Sequence, residues 1–64
     1  MTPDLKRAMM AAHDVLQTEG NVLAELLDHK AFEALPHRVE IAVRSEMMRL
    51  RSIAQVLNSA VEAD

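Results

Sequence analysis

The chain has 64 residues, of which half are hydrophobic, one is aromatic and none is cysteine, and its formal charge is −3. A chain this short buries only about 60% of its unfolded surface, so a single core is marginally stable. The absence of cysteine excludes disulfides and thiolate metal ligands, and the modest acidity argues against a general binder of nucleic acid or of anionic membranes. We therefore expect oligomerisation or a larger partner to supply additional burial.

No stretch of the chain is apolar enough to suggest a membrane span. The longest uninterrupted apolar run covers residues 8–12, whereas a spanning helix needs about 20 apolar residues. His13 and Asp14 also interrupt any signal-peptide core that would follow Lys6 and Arg7. The expectation is a cytoplasmic protein with no membrane association.

The first half of the chain predicts one amphipathic helix over about residues 3–29. Thr2 suits the N-cap, Pro3 the first helical position, and Asp4 the positive end of the helix dipole. Apolar residues then recur in alternating steps of four and three, which is the seam of a heptad repeat, with Glu19 as the one polar intruder. The predicted seam consists of Leu5, Met9, Ala12, Leu16, Glu19, Leu23 and Leu26.

Gly20 follows Glu19 directly and leaves two interpretations of the helix open. A helix could end there, because glycine is common just beyond a helix C-terminus. We predict a continuous helix, because the seam keeps its register from Leu16 through Glu19 to Leu23, and a mid-helix glycine costs only about 1 kcal/mol relative to alanine. Gly20 would then either admit a close helix crossing or be a tolerated weak spot.

A second amphipathic helix is predicted over about residues 36–62. Residues 30–36 are expected to form an elbow, because Pro36 removes a backbone donor and disfavours helical geometry at Leu35. The elbow can hold an extra turn, with Phe32 and Leu35 placed to plug the end of the bundle. The seam of the second helix consists of Val43, Met47, Leu50, Ala54, Leu57 and Val61.

These elements predict an all-α fold with a single domain over residues 1–64, namely a two-helix antiparallel hairpin. Each helix carries an apolar stripe that is wider than its seam. Two such stripes exceed what one hairpin interface can cover, since part of each broad stripe stays in water. We therefore expect a homodimer that forms an antiparallel four-helix bundle.

The elbow holds the one candidate for a metal site. His29, Glu33 and His37 are spaced i, i+4, i+8, and on one unbroken helix they would share a face suited to zinc or iron. Pro36 breaks that register, so we expect no metal, no cofactor, and histidines that are solvated elbow residues. His13 is interpreted as an exposed residue on the polar side of the first helix.

Catalysis is not expected either. The exposed side of the second helix carries Ser45, Ser52 and Ser59, but no histidine lies nearby in sequence to act as a base. A single glycine excludes a glycine-rich phosphate loop, and a hairpin offers no deep cleft. The sequence therefore predicts a protein that is not an enzyme.

Large apolar residues outside the seams are the candidate partner-binding positions. Ile41 and Met48 lie seven residues apart on the outer side of the second helix, flanked by Arg44 and Arg51, and Met10 lies on the polar side of the first helix. Methionine adapts to varied surfaces, and an apolar ridge rimmed by arginine is typical of helix-in-groove interfaces. Ordinary scattered exposure is the alternative interpretation.

The stretch LAELLDHKAFEALPHRVEIAVRSEMMRL, residues 23–50, is similar in rhythm to flagellar export chaperones of the FlgN type. The small helical-hairpin co-chaperones of type III secretion needle subunits resemble the chain in size and architecture. This resemblance implies a non-enzymatic chaperone, adaptor or inhibitor that binds a protein, without assigning individual residues. The alternative function is a Rop-like RNA-binding hairpin dimer, suggested by size, architecture and the arginines of the second helix. For those arginines we prefer the interpretation that they face the acidic first helix, over the interpretation that they contact phosphates.

Overall fold

The protein is described from a computed structural model that covers residues 1–64. It is an elongated antiparallel helical hairpin of 48 × 14 × 12 Å. Helix α1 spans Pro3–Asp28, a short 3-10 helix spans Lys30–Ala34, and helix α2 spans His37–Ala63. The all-α, two-helix prediction is confirmed. Neither helix contains an apolar segment long enough to cross a membrane.

Helix α1 begins as its sequence suggests. Thr2 is the N-cap, and its Oγ1 accepts a hydrogen bond from the backbone N–H of Leu5 at 3.1 Å, which satisfies one of the free donors of the first turn. The helix continues through Gly20, which does not adopt a positive φ. The continuous helix is therefore confirmed, and the alternative in which α1 ends at Gly20 is excluded.

The elbow consists of the 3-10 helix between two extended residues. His29 has extended backbone, and its Nδ1 accepts a hydrogen bond from the backbone N–H of Ala31 at 3.1 Å. Leu35 and Pro36 are also extended, as proline sterics require. Phe32 is buried, but Leu35 is 47% exposed. The predicted plug therefore consists of Phe32 alone, because Leu35 has already left the helical turn.

The contact surface of α2 agrees with the predicted seam. Leu50 and Ala54 are buried, and the other four predicted positions are half-buried. Across the hairpin, Met9, Leu16 and Leu23 of α1 are half-buried against this surface. The apolar contact between these two lines of side chains is the main source of stability in the hairpin.

The predicted seam of α1 is partly wrong. The structure exposes the positions of one heptad series, namely Leu5, Ala12, Glu19 and Leu26. Gly20 is buried in their place, and His13 and Leu27 are half-buried, so the expectation that His13 is fully exposed is also wrong. The reason is that the apolar stripe of α1 is wider than one helix can cover, and α2 occupies only one edge of it.

Gly20 is buried because the side chain of Arg51 crosses it. A Cβ atom added to Gly20 would lie 3.3 Å from Cγ of Arg51. The guanidinium of Arg51 continues past the glycine and donates a hydrogen bond to Oδ1 of Asn21 at 3.4 Å. The three atoms nearest to such a Cβ all belong to the Arg51 side chain, so an arginine stem covers Gly20, in place of the close backbone crossing considered from the sequence.

Polar links between the two helices are few and exposed. Besides the bond between Arg51 and Asn21, the open end of the hairpin is closed by Asp64, whose carboxylate lies 3.1 Å from Nζ of Lys6 and 2.7 Å from the Met1 amino group. Exposed pairs of this kind contribute little stability. The hairpin therefore depends on apolar burial, of which it has little.

Candidate interaction surfaces

The hairpin has a polar face on one side of the contact between its helices. An open groove on this face is lined only by polar residues, three from α1 and three from α2: His13, Gln17, Asn21, Arg51, Gln55 and Asn58. Four of these side chains are amides, which donate and accept hydrogen bonds without carrying charge. This arrangement suits a surface that stays in contact with water, and it contains no nucleophile next to a base.

The opposite side is a second groove with a different character. Thr18, Glu19, Val22 and Leu23 of α1 and Glu46 and Leu50 of α2 line it. The exposed apolar residues on the same flank extend this groove along the hairpin. We define the apolar face as Leu5, Val15, Val22, Leu26 and Ile53, all of which are exposed, together with the carboxylates Glu19 and Glu46 at the groove.

Heptad spacing explains why these residues share a flank. In α1, Leu5, Ala12, Glu19 and Leu26 lie seven residues apart, and in α2, Val39, Glu46, Ile53 and Ala60 do the same. Residues at this spacing lie along one line of a helix. Each helix therefore carries two adjacent lines of mainly apolar residues, one of which contacts the other helix of the hairpin. The second line is exposed throughout in α1, whereas in α2 Glu46 and Ile53 are exposed and Val39 and Ala60 are half-buried.

The two carboxylates of the apolar face have different surroundings. Nε of Arg49 donates a hydrogen bond to Oε2 of Glu46 at 3.0 Å, and this interaction lowers the pKa of Glu46 and raises the pKa of Arg49. No cationic group lies within ion-pair distance of Glu19, which is exposed on the same groove. Glu46 therefore has a partner in the hairpin, and Glu19 does not.

The outer side of α2 carries the ridge predicted from the sequence, Ile41 and Met48, but only one of its two predicted flanking arginines, Arg44. Ile41 is 52% exposed and Met48 is 64% exposed. Arg44, one turn from both, donates a hydrogen bond to Glu40 at 3.1 Å. We define the outer ridge as Ile41, Arg44 and Met48. The bond from Arg44, and then the contact of His37 Nδ1 with Glu40 at 3.2 Å, lower the pKa of Glu40.

Two further predicted partner-binding residues lie apart from the outer ridge. Arg51 reaches across Gly20 toward α1 and lines the polar face. Met10 belongs to the other helix and is half-buried. The structure thus brings together Ile41, Arg44 and Met48, and it places Arg51 and Met10 elsewhere.

Sequence reasoning missed the apolar face, because Leu5, Glu19 and Leu26 were assigned to the buried seam. A signal for it existed in the second apolar series of α1, where Val15 and Val22 lie beside that seam and widen it. A stripe of this width needs two neighbouring helices to cover it, and the hairpin supplies one.

The three candidate metal ligands of the elbow fall on three separate segments. His29 caps the 3-10 helix, Glu33 lies within it, and His37 begins α2. No group of three or more histidine or acidic side chains is close enough to hold a metal ion. The spacing i, i+4, i+8 therefore does not produce a shared face here, because Pro36 separates the two helices.

No protein-family model matches the chain, and no curated protein and no solved structure is significantly similar to it. The function proposed for the chain therefore rests on the geometry of the apolar face and the outer ridge.

Proposed function

We propose that the chain is a small non-enzymatic protein-binding module, a chaperone, adaptor or inhibitor, that acts as a homodimer. The observation that carries this proposal is the apolar face. Large side chains such as Val22, which is 57% exposed, outnumber the three hydrophobic residues that the hairpin buries, Phe32, Leu50 and Ala54. Contiguous apolar surface on a small protein marks an interaction site.

The surface area of the hairpin supports a second copy as the first partner. The chain exposes 4798 Å², whereas a folded monomer of its mass exposes about 4,100 Å². The excess of about 700 Å² is close to the roughly 800 Å² that each protein contributes to a standard interface. Two hairpins that cover this excess mutually would form the four-helix bundle, in which each helix contacts two neighbours.

Such a dimer leaves the outer ridge available to another protein. Ile41 and Met48 lie on the side of α2 away from α1 and are exposed, and Arg44 lies beside them with its charge paired to Glu40. Two large apolar side chains one heptad apart are what a helix presents to an apolar groove of a partner. The resemblance to small secretion chaperones favours the same kind of role.

The RNA-binding alternative is less favoured by the charges of α2. Two of the four arginines of α2 are paired with glutamates in the hairpin, Arg44 with Glu40 and Arg49 with Glu46, which halves the number of unpaired cations that this helix offers to phosphates. A salt titration with mixed RNA separates the two functions. Binding that weakens steeply with salt would favour RNA, and no binding at low salt would remove it.

The test of the proposed function is affinity capture from the source cell with the wild-type chain and with Met48→Glu. A carboxylate at the centre of a buried interface costs about 2 kcal/mol or more, so we expect Met48→Glu to lose the captured protein. Helicity and dimer mass should stay unchanged, because Met48 contributes little to folding. Mass spectrometry then identifies the captured protein.

The matched control is Ser59→Glu, which adds the same charge to an exposed position of the same helix. It should retain the partner. Equal capture by the wild type and Met48→Glu would exclude the outer ridge as the binding site. Conversion of the Met48→Glu dimer to monomers would instead place the outer ridge in the dimer interface.

A further inference from the structure

We infer, on the basis of the proposed homodimer, that the apolar face packs against the second copy and that Glu19 is buried near the centre of that interface. Association of the two copies therefore takes up protons. Glu19 is the only unpaired carboxylate among the apolar side chains of this face. Its titration therefore couples the strength of the dimer to pH.

The apolar face suits a second copy better than the other two surfaces do. The polar face has a groove lined entirely by polar side chains, and the outer ridge offers only two large apolar residues, Ile41 and Met48. The apolar face presents five, and they extend along both helices. It is therefore the surface whose removal from water gains the most free energy.

The heptad series of the two helices match each other across this face. Each of these series has three apolar members and one glutamate, Glu19 in α1 and Glu46 in α2, although Val39 and Ala60 of the α2 series are already half-buried in the hairpin. A twofold interface uses the same surface on both copies, so a surface that is mainly apolar along both helices can pack against itself.

Glu19 lies near the middle of the hairpin. It adjoins Gly20, where Arg51 of α2 crosses α1, and its heptad series continues to Leu5 near the open end and to Leu26 near the elbow. In a twofold interface, residues near the centre approach their own copies. The two Glu19 carboxylates would thus come together among apolar side chains.

The charged groups that face Glu19 do not stabilise its negative charge. From α2, Glu46 lines the same groove and already accepts hydrogen bonds from Arg49, and on α1 the nearby Asp14 is also acidic. Burial and like charge both disfavour the ionised carboxylate. Protonation of Glu19 therefore accompanies association, and the dimer is strongest in acid and weakens as pH rises through the titration of this carboxylate.

The decisive variant is Glu19→Gln, which keeps the shape and removes the charge. Its control is Glu25→Gln, an equal change of net charge at an exposed position of α1 outside the apolar face. Dissociation constants are measured by sedimentation of the intact chain at about pH 5 and about pH 7.5, both above the ordinary glutamate pKa of about 4.3, so that a solvated carboxylate is mostly ionised at both. Both variants keep all three histidines, so the comparison between them isolates Glu19.

For Glu25→Gln, as for the wild type, we expect the dissociation constant of the dimer to be at least about tenfold larger at the higher pH, which is the change produced by a difference of one pKa unit between the dimer and the free chain. At the higher pH, the Glu19→Gln dimer should be tighter than the wild-type dimer. Its dissociation constant should differ by less than about threefold between the two pH values. Equal pH dependence in Glu19→Gln and Glu25→Gln would overturn the inference. The inference would also be overturned if the wild-type and Glu25→Gln dimers were weaker in acid and Glu19→Gln abolished this effect. That result would mean that a cation of the second copy pairs with Glu19.

The location of the interface has its own test. Val22→Glu should produce monomers or unfolded chain, whereas Met48→Glu should remain a dimer. The reverse result would show that the dimer closes through another surface, while the proposed homodimer stands.

Because Val22→Glu could also prevent folding, Glu19→Leu is the second variant. It should tighten the dimer more than about tenfold at neutral pH, as expected for an apolar residue replacing a buried charge, and an unchanged or weaker dimer would overturn the inference. A wild-type chain that sediments as a folded monomer would instead refute the proposed homodimer itself.

Discussion

Gly20 combines a weak local preference for helix with a specific packing role. Glycine lowers helix stability by about 1 kcal/mol relative to alanine, yet α1 passes through it without a break. The structure explains its presence, because the stem of Arg51 lies directly over the glycine. Packing of the two helices, including the contacts of Leu16 and Leu23 one turn before and after the glycine, outweighs the loss of helix stability that Gly20 causes.

Substitution of Gly20 measures how tightly Arg51 packs. We expect Gly20→Ala to raise the free energy of unfolding by up to about 1 kcal/mol, because Arg51 has a flexible stem and only one long hydrogen bond to hold it in place. Gly20→Val, with a larger and β-branched side chain, should lower stability. Urea denaturation of the two variants checks both signs. A large loss of stability in Gly20→Ala would show that Arg51 cannot move.

Helix α2 was predicted more accurately than helix α1, and the reason is physical. In α2 the six-residue seam coincides with the buried or half-buried surface, because polar residues such as Gln55 and Asn58 limit the stripe on one side. In α1 the polar residues His13, Gln17 and Asn21 lie on one side of Met9, Leu16 and Leu23, but on the other side the apolar stripe continues through Leu5, Ala12 and Leu26. Periodicity measures the width of an apolar stripe, but it does not say which edge another helix will cover.

The elbow shows the same limit at shorter range. Proline sterics predicted the break between the helices correctly, since Pro36 constrains its own φ and the residue before it. The hydrogen bond from Ala31 to the ring of His29 could not be read from the sequence. It depends on the direction in which the chain leaves α1, which is set by tertiary contact.

The two histidines of the elbow should therefore respond differently to mutation. His29→Ala removes the acceptor at the start of the 3-10 helix, and loss of a cap of this kind costs about 0.5–1 kcal/mol. His37→Ala removes only an exposed contact with Glu40, so its effect should stay within about 0.5 kcal/mol. Thermal unfolding of both variants near neutral pH checks the difference, and equal stabilities would show that the cap contributes nothing.

Zinc provides a second comparison on the same two variants. Because no three potential ligands converge, added zinc should not raise the melting temperature of the wild type. A rise that disappears in both His29→Ala and His37→Ala would mean that the elbow rearranges around a metal.

At the scale of the whole molecule, folding and association are expected to be coupled. The hairpin buries three hydrophobic residues, and a chain of this size has a small free energy of unfolding.

The predicted fold class followed from periodicity and proline alone. The outer ridge also followed from the pattern, because an apolar residue opposite the seam has nothing in the chain to cover it. The apolar face did not, because its recognition required knowing where α2 lies.

Leu50→Asp tests the contact between the helices on which every larger assembly depends. Leu50 is 7% exposed, and its replacement removes apolar burial and places a carboxylate against α1 without a partner, at a combined cost of at least about 3 kcal/mol. That cost exceeds the stability expected of so small a core, so the variant should lose helicity, measured by circular dichroism, as well as dimer mass. Met48→Asp, two residues away and 64% exposed, is the matched control and should change stability by no more than about 0.5 kcal/mol. If Leu50→Asp unfolded cooperatively with wild-type stability, contacts other than this seam would hold the two helices together. The distinction between the surface that joins α1 to α2 and the exposed apolar face would then be wrong.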